Sequence, residues 1–201
     1  MSDNTIKSVI LGEGRVGKTS ILRRYFTDKF DIQEKSTVNP SFYEKKVENS
    51  KGENIKITFW DTAGQELFDA LNTTYYKNSS GALIVYDLNL FEDTFPKVEK
   101  WVNEIIQVVG NDVVFVIVGN KFDLIASLSA FDDKKNIVDN FCKKYNCNHI
   151  LTSAKSGYNI KEAFDLLIQK MILRNQGKTH KNGLKIVNDV SEKEKTKEKC
   201  C

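Results

Sequence analysis

Short apolar runs along the chain predict strands that are buried on both faces of a sheet. These runs are rich in β-branched residues, as interior strands of parallel sheets are, and they span residues 6–11, 82–86 and 113–118. Two other runs, 41–47 and 55–60, alternate more between apolar and polar side chains and flank a polar, glycine-containing stretch. They predict an antiparallel hairpin at one edge, and a further strand is expected just before Thr152.

Helical periodicity separates these strands. It follows a glycine-rich stretch that begins at Gly12, and it returns at about 94–109, 132–145 and 160–173. Thr94-Phe-Pro96 is expected to start the second helix, because proline is tolerated in a first turn. The alternation predicts an α/β fold: a mostly parallel six-stranded sheet with one antiparallel edge strand and helices on both faces.

Composition divides the chain into a folded part and a tail. With 201 residues and 40% hydrophobic content, it can bury one substantial core. Residues 174–201 lack aromatics and carry eight Lys or Arg against four Asp or Glu, a charge of +4, while residues 1–173 carry −1 of the total of +3. Residues 1–173 are therefore predicted to form one domain, and residues 174–201 a flexible basic tether.

Neither a membrane span nor a signal peptide is evident. No apolar run approaches the ~20 residues that cross a bilayer, and the polar start lacks a leader pattern, so the folded part is expected in the cytosol. Cys142 and Cys147 have only His149 near them in the sequence. They are interpreted as ordinary reduced thiols in preference to a metal site.

The stretch from Gly12 to Ser20 has the spacing of a phosphate-binding loop. Gly12-x-x-x-x-Gly17-Lys18-Thr19 lies between a predicted strand and a predicted helix, which is the context that the P-loop pattern requires. Glycines let consecutive backbone N–H groups surround phosphates, Lys18 would bridge the β- and γ-phosphates, and Thr19 would bind Mg²⁺. The loop residues expected to contact the nucleotide are Arg15, Val16, Gly17, Lys18, Thr19 and Ser20. A tight turn without a ligand is the alternative.

Two later segments select the base. In Asn120-Lys121-Phe-Asp123, a carboxylate after a buried strand can accept hydrogen bonds from N1–H and the 2-amino group of guanine, a donor pair that adenine lacks. Thr152-Ser153-Ala154-Lys155 follows another strand. Each segment alone could be a polar turn ending a strand, but their order and distance from the P-loop favour a guanine nucleotide.

With these motifs together, residues 5–173 resemble the small GTPases of the Ras superfamily. The resemblance implies the P-loop GTPase fold and hydrolysis of GTP to GDP and phosphate, slow unless an activating protein stimulates it. It implies Thr19 and Thr37 as direct Mg²⁺ ligands, with Asp61 holding the ion through water. The N–H of Gly64 would contact the γ-phosphate, and Gln65 would orient the attacking water. Loss of the γ-phosphate would then release two switch segments, the first around Thr37 and the second around Gly64 and Gln65.

Two residues keep alternative interpretations. The resemblance implies Phe30 against the guanine plane; the alternative is a plain core phenylalanine that closes the first helix, and the two are compatible. Arg15 stands where family members usually carry a small residue. Its guanidinium could fold back over the phosphates and raise intrinsic hydrolysis, or it could point to solvent.

The chain also resembles Rab proteins, endosomal members included, through residues 59–66, residues 75–88 and the Cys-Cys end. This implies regulation of vesicle traffic at the cytoplasmic face of endomembranes, with the early endosome expected, and cycling with the cytosol. The implied partners are an exchange factor, an activating protein, effectors, a prenylation escort and a GDP-dissociation inhibitor, without nucleic acid. Phe42, Trp60 and Tyr75 match an effector-surface triad, or they belong to the core.

The terminal pair Cys200-Cys201 is not a C-a-a-X end, so the ordinary prenylation motif is absent. The Rab resemblance implies one geranylgeranyl group on each cysteine. Two chains anchor a protein stably where one is marginal, and the basic tether adds attraction to anionic lipid. Unmodified thiols are the alternative.

Two rival functions remain open from the sequence. In the first, the chain is a P-loop kinase or ATPase, and residues 120–123 match by accident. In the second, the chain keeps the fold but is a nucleotide-locked scaffold with little turnover.

Overall fold

The computed structural model describes residues 5–33, 37, 41–49, 52–62, 74–125, 131–176 and 189–190. A sheet forms the centre of the fold, and its main strands are β1 Thr5–Leu11, β2 Ser41–Glu48, β3 Asn54–Asp61, β4 Ser79–Asp87, β5 Val114–Asn120 and β6 Asn148–Leu151. They lie side by side in the order β6-β5-β4-β1-β3-β2. All neighbours among them pair parallel except β2 with β3, which confirms the predicted six-stranded sheet with one antiparallel edge strand.

A seventh, two-residue strand was not predicted. Asp189–Val190, here β7, pairs antiparallel with Lys46 and Lys45 of β2, and these are the only described residues beyond 176. The boundary between domain and tether stays a prediction.

Helices cover both faces of the sheet, as predicted. They are α1 Lys18–Thr27, α2 Phe91–Thr94, α3 Val98–Val109, α4 Asp132–Tyr145 and α5 Ile160–Asn175, with single 3₁₀ turns at Leu88–Leu90 and Phe122–Leu124.

The predicted start of the second long helix is wrong. Thr94 ends the short helix α2, and its hydroxyl donates to the carbonyl of Leu90 at 2.8 Å. Pro96 lies in the turn between α2 and α3, and α3 begins only at Val98. Because proline has no N–H to donate to the carbonyl four residues earlier, the helical hydrogen bonding stops there.

Two hydrophobic clusters, one on each face, hold the layers together. Val9 and Ile10 are neighbours in β1, both fully buried, yet they lie in opposite clusters because successive strand side chains point to opposite faces. The first cluster packs under α1 and α5, and the second under α2, α3 and α4. Burial on both faces is what produces the apolar runs in the sequence. Within the described residues, no helix has the length and apolar character to cross a membrane.

Candidate nucleotide-binding site

The described nucleotide-binding motifs all lie at the carboxyl ends of the strands. Residue 12 follows β1, Asp61 ends β3, Asp87 ends β4, Asn120 ends β5 and Thr152 follows β6. These strands run parallel, so their carboxyl ends meet at one edge, which is where open α/β sheets bind ligands.

Two glycines let the loop between β1 and α1 take its path. Gly12 has φ +136°, and a Cβ atom there would lie 2.2 Å from the carbonyl oxygen of Val85. Gly17 has φ +97°, and its Cβ would lie 2.4 Å from Nδ2 of Asn120. Any larger residue would therefore clash with neighbouring strands as well as strain the backbone. The spacing of the P-loop pattern thus has a steric basis.

Lys18 is held in the middle of this loop. Its side chain is buried, and Nζ donates to the carbonyls of Gly12 and Glu13 at 2.8 Å each. Burial lowers the pKa of Lys18 to about 8, while attraction from Asp61 and Glu13 opposes the shift. An ammonium with so little water around it is well prepared to exchange carbonyl partners for phosphate oxygens.

The other loop residues differ in exposure. Arg15 is exposed and adopts left-handed backbone geometry with φ 64°. Val16 is buried in the first cluster, and Ser20 is partly buried. The exposure of Arg15 fits the interpretation in which its guanidinium points to solvent.

Three oxygens from separate segments converge beside Lys18. The hydroxyl of Thr19 lies 2.6 Å from that of Thr37 and donates to Oδ2 of Asp61 at 2.7 Å. Thr37 lies 3.5 Å from the same carboxylate oxygen. Adjacent ligands of an octahedral ion at ~2.1 Å are about 3 Å apart, a spacing that the two threonine hydroxyls approach, and Mg²⁺ prefers oxygen donors and usually keeps several waters. The two hydroxyls therefore fit as direct ligands of a magnesium ion, with the Asp61 carboxylate beside them to accept from a water on the ion.

Asn120 joins the phosphate loop to the loop after β6. Its buried amide donates from Nδ2 to the carbonyl of Val16 at 2.9 Å. Its Oδ1 accepts from the N–H of Ala154 at 3.2 Å and from the hydroxyl of Thr152 at 3.4 Å. The sequence assigned this side chain to the nucleotide, and the structure shows it fixing the two loops on either side.

The remaining base-motif residues are oriented by neighbours. Lys121 has left-handed backbone geometry, and its Nζ lies 2.6 Å from Oδ2 of the buried Asp87. Asp123 is exposed, and its Oδ1 accepts from the hydroxyl of Ser153 at 2.6 Å. A carboxylate held in this way at an exposed edge suits recognition of two N–H donors on a base. Lys155 is exposed in the same loop.

Arg24, on the last turn of α1, supports the site although no feature of the sequence predicted it. Its Nε donates to the carbonyl of Ala154 at 2.7 Å, and Nη2 donates to that of Lys155 at 2.6 Å. Nη1 donates to the carbonyl of Asp28 at 2.8 Å. One guanidinium thus fixes the loop after β6 to the helix that follows the P-loop. No motif distinguishes Arg24 from its neighbour Arg23.

The aromatic candidates lie between surface and core. Phe30 is partly buried and packs against the first cluster. Phe42 stacks on Trp60 with ring centroids 5.2 Å apart, and Tyr75 lies 6.2 Å from Trp60. All three are half-buried, so they form a contiguous aromatic face that solvent still reaches. Gly64, Gln65, Cys200 and Cys201 lie outside the described residues.

Comparison with known proteins identifies the family of this chain. The model of the Ras family matches residues 7–173, and the chain belongs to that family. Within it, the curated relatives point to one branch, as follows.

The chain is 36% identical to human Ras-related protein Rab-21 over 213 residues, 98% of this chain and 91% of the relative. It is 39% identical to Ras-related protein Rab-21 of Dictyostelium discoideum over 181 residues, 88% of this chain and 81% of the relative. It is 40% identical to GTP-binding protein YPT53 of Saccharomyces cerevisiae over 173 residues, 83% of this chain and 76% of the relative. The predicted resemblance to Rab proteins is confirmed, and among these relatives the chain resembles Rab-21 in particular.

Proposed function

We propose that this chain is a small GTPase switch of the Rab type, which binds GTP, hydrolyses it to GDP and phosphate, and regulates vesicle traffic. The observation that carries the proposal is the buried amide of Asn120, which holds the phosphate loop and the loop after β6 together. Three motifs far apart in sequence thereby line one site, as binding of a whole nucleotide requires. Family membership agrees with this function.

Lys18 and the loop backbone bind the β- and γ-phosphates in this proposal. Thr19 and Thr37 would hold Mg²⁺ directly, with Asp61 acting through water, and the ion neutralises charge on the phosphates when it is bound. Because Thr37 also lies beside Thr19, the first switch segment is attached to the same oxygen cluster. Gly64 and Gln65 complete the switch by contacting the γ-phosphate and orienting the attacking water.

Asp123 recognises the base, with Asn120 and Lys121 beside it. Ser153 orients the Asp123 carboxylate, and the backbone of Ala154 and Lys155 lines the same end of the site. Phe30 covers one face of the guanine from the end of α1.

The partners are those of a Rab switch: an exchange factor, an activating protein, effectors, a prenylation escort and a GDP-dissociation inhibitor. Effectors bind the aromatic face of Phe42, Trp60 and Tyr75, where half-exposed rings offer area that association can bury. Geranylgeranyl groups on Cys200 and Cys201 attach the protein to the cytoplasmic face of endomembranes, and the early endosome is the membrane that we propose.

Replacing Asp123 with Asn tests the base assignment. The amide presents an N–H donor where guanine presents its own donors, so affinity should shift from guanine toward xanthine nucleotides. Competition between GTP, XTP and ATP against a fluorescent GDP analogue measures the preference for the wild type and the variant. An unchanged guanine preference would remove Asp123 from the base site, and equal ATP and GTP binding by the wild type would favour the kinase or ATPase alternative.

Replacing Gln65 with Leu tests turnover. The variant should bind GTP normally but lose stimulated hydrolysis by about 10³-fold or more, the scale found for transition-state groups in these sites. Single-turnover phosphate release, with and without an activating protein, gives both rates. A wild type that releases no phosphate in either condition would favour the nucleotide-locked scaffold.

A further inference from the structure

Glu13 places a carboxylate inside the phosphate-binding loop, where negative charge opposes the binding of phosphate. Its side chain is only 10% exposed. Oε2 accepts a hydrogen bond from Nζ of Lys97 at 3.0 Å. Lys97 lies in the turn between α2 and α3, 84 residues further along the chain. The carboxylate is therefore neutralised by a cation from outside the loop.

A second cation is close to the same residue. Nζ of Lys18 donates to the backbone carbonyl of Glu13 at 2.8 Å. The two contacts use different parts of Glu13, since its backbone carbonyl accepts from Lys18 and its carboxylate accepts from Lys97. Removing one partner of a buried ion pair is strongly destabilising unless the remaining charge finds another partner. Lys18, already hydrogen-bonded to the Glu13 main chain, could become that partner, but the phosphates need it.

We propose that Lys97 is a positioning residue of the nucleotide site: it holds the Glu13 carboxylate on the outer side of the loop and so keeps Lys18 available to the phosphates. The inference rests on the proposed nucleotide binding. It predicts a specific pattern, in which loss of Lys97 alone harms the site and loss of both charges does not.

The test is the affinity for a fluorescent GDP analogue in four variants. Lys97→Gln should weaken binding by about tenfold, because the Glu13 carboxylate then competes with phosphate for Lys18. Glu13→Gln should bind at least as tightly as the wild type, and Glu13→Gln with Lys97→Gln should return to within about twofold of Glu13→Gln. Lys97→Arg should retain affinity, because it keeps the charge.

Lys100→Gln is the matched control. Lys100 lies in the first turn of α3, three residues after Lys97, and pairs with Glu104 at 3.7 Å, so this variant removes a surface lysine close to Lys97. It should bind as the wild type does. Thermal unfolding of each variant shows whether the fold persists.

Two results would overturn the proposal. If Lys97→Gln binds as tightly as the wild type, the ion pair does not position the site. If Glu13→Gln, Lys97→Gln and the double variant weaken binding equally, the ion pair only stabilises the loop, and the Glu13 carboxylate does not compete with phosphate for Lys18. A wild type that binds no guanine nucleotide is a different failure, since it contradicts the proposed function itself.

Discussion

His149 is a partly buried titratable group that packs against aromatic residues of the second cluster, away from the nucleotide site. Its ring stacks on Tyr86 and Phe131, with centroids 5.8 and 5.7 Å away, and its Nε2 lies 2.9 Å from the Tyr86 hydroxyl. Burial lowers the pKa of His149 from 6.5 to about 4, and Lys135 adds to the shift while Asp139 opposes it. The imidazole is therefore neutral at physiological pH.

We expect mild acid to destabilise the fold through His149. Below pH 6.5 the unfolded chain binds a proton at this histidine, while the folded chain does not until about pH 4. Stability that is complete above pH 6.5 is thus lost as the pH falls through this window, by roughly 2 kcal/mol at pH 5. Urea unfolding of the wild type and His149→Gln at pH 7 and pH 5 isolates this effect, because the carboxylates titrate in both. Equal losses in the two proteins would contradict the lowered pKa.

At the scale of elements, α1 connects the two ends of the nucleotide site. It begins at Lys18 in the phosphate loop, and in its last turn Arg24 donates to the carbonyls of Ala154 and Lys155. The helix α1 and the loop after β6 are therefore held in one arrangement before the nucleotide binds. This reduces the conformational entropy that is lost on binding.

Replacing Arg24 with Ala should free the loop at 153–155 and weaken GDP binding by about tenfold, the effect of losing about 1.4 kcal/mol of preorganisation. Arg23→Ala is the matched control, because Arg23 faces Asp31 at 4.0 Å with both side chains well exposed. That variant should stay within about twofold of the wild type. If Arg24→Ala and Arg23→Ala lose the same GDP affinity, the effect comes from removing a positive charge from α1 and not from the contacts of Arg24.

Local patterns in the sequence predicted most strands and helices, but not the contacts between residues far apart in the chain. Strands β1, β4 and β5 were predicted because burial on both faces requires an apolar residue at nearly every position. The start of α3 was misplaced because a proline suits a first turn and a break between helices equally well. The contact from Asn120 to Val16 spans 104 residues, and no local pattern encodes it. Arg24 was missed for the same reason, since its bonds to 154 and 155 depend on how α1 packs.

At the scale of the whole molecule, the pairing of β7 with β2 shortens the free part of the predicted tether. Asp189–Val190 lies against β2, so the 11 residues 191–201 follow the last pairing with the domain. A flexible chain of that length has a root-mean-square span of about 18 Å. We therefore expect the domain to lie close to the membrane when the proposed anchor is inserted.

Replacing both Cys200 and Cys201 with Ser should move the protein from membranes to the cytosol without changing its affinity for GDP. A single prenyl chain gives only marginal binding, so each single variant should be intermediate. Fractionation of cells that express tagged copies measures the distribution, and Cys142→Ser serves as a control that removes a thiol elsewhere. A double variant that stays on membranes would place the anchor in another part of the chain.

The buried amide of Asn120 has a kinetic consequence for nucleotide exchange. Because the same side chain supports the phosphate loop through Val16 and the base side through Ala154, movement at one end removes support from the other. We expect GDP to leave in one concerted step, with no long-lived intermediate that is still attached by its base. We therefore expect that an exchange factor which displaces only the phosphate loop can expel the nucleotide without contacting the guanine.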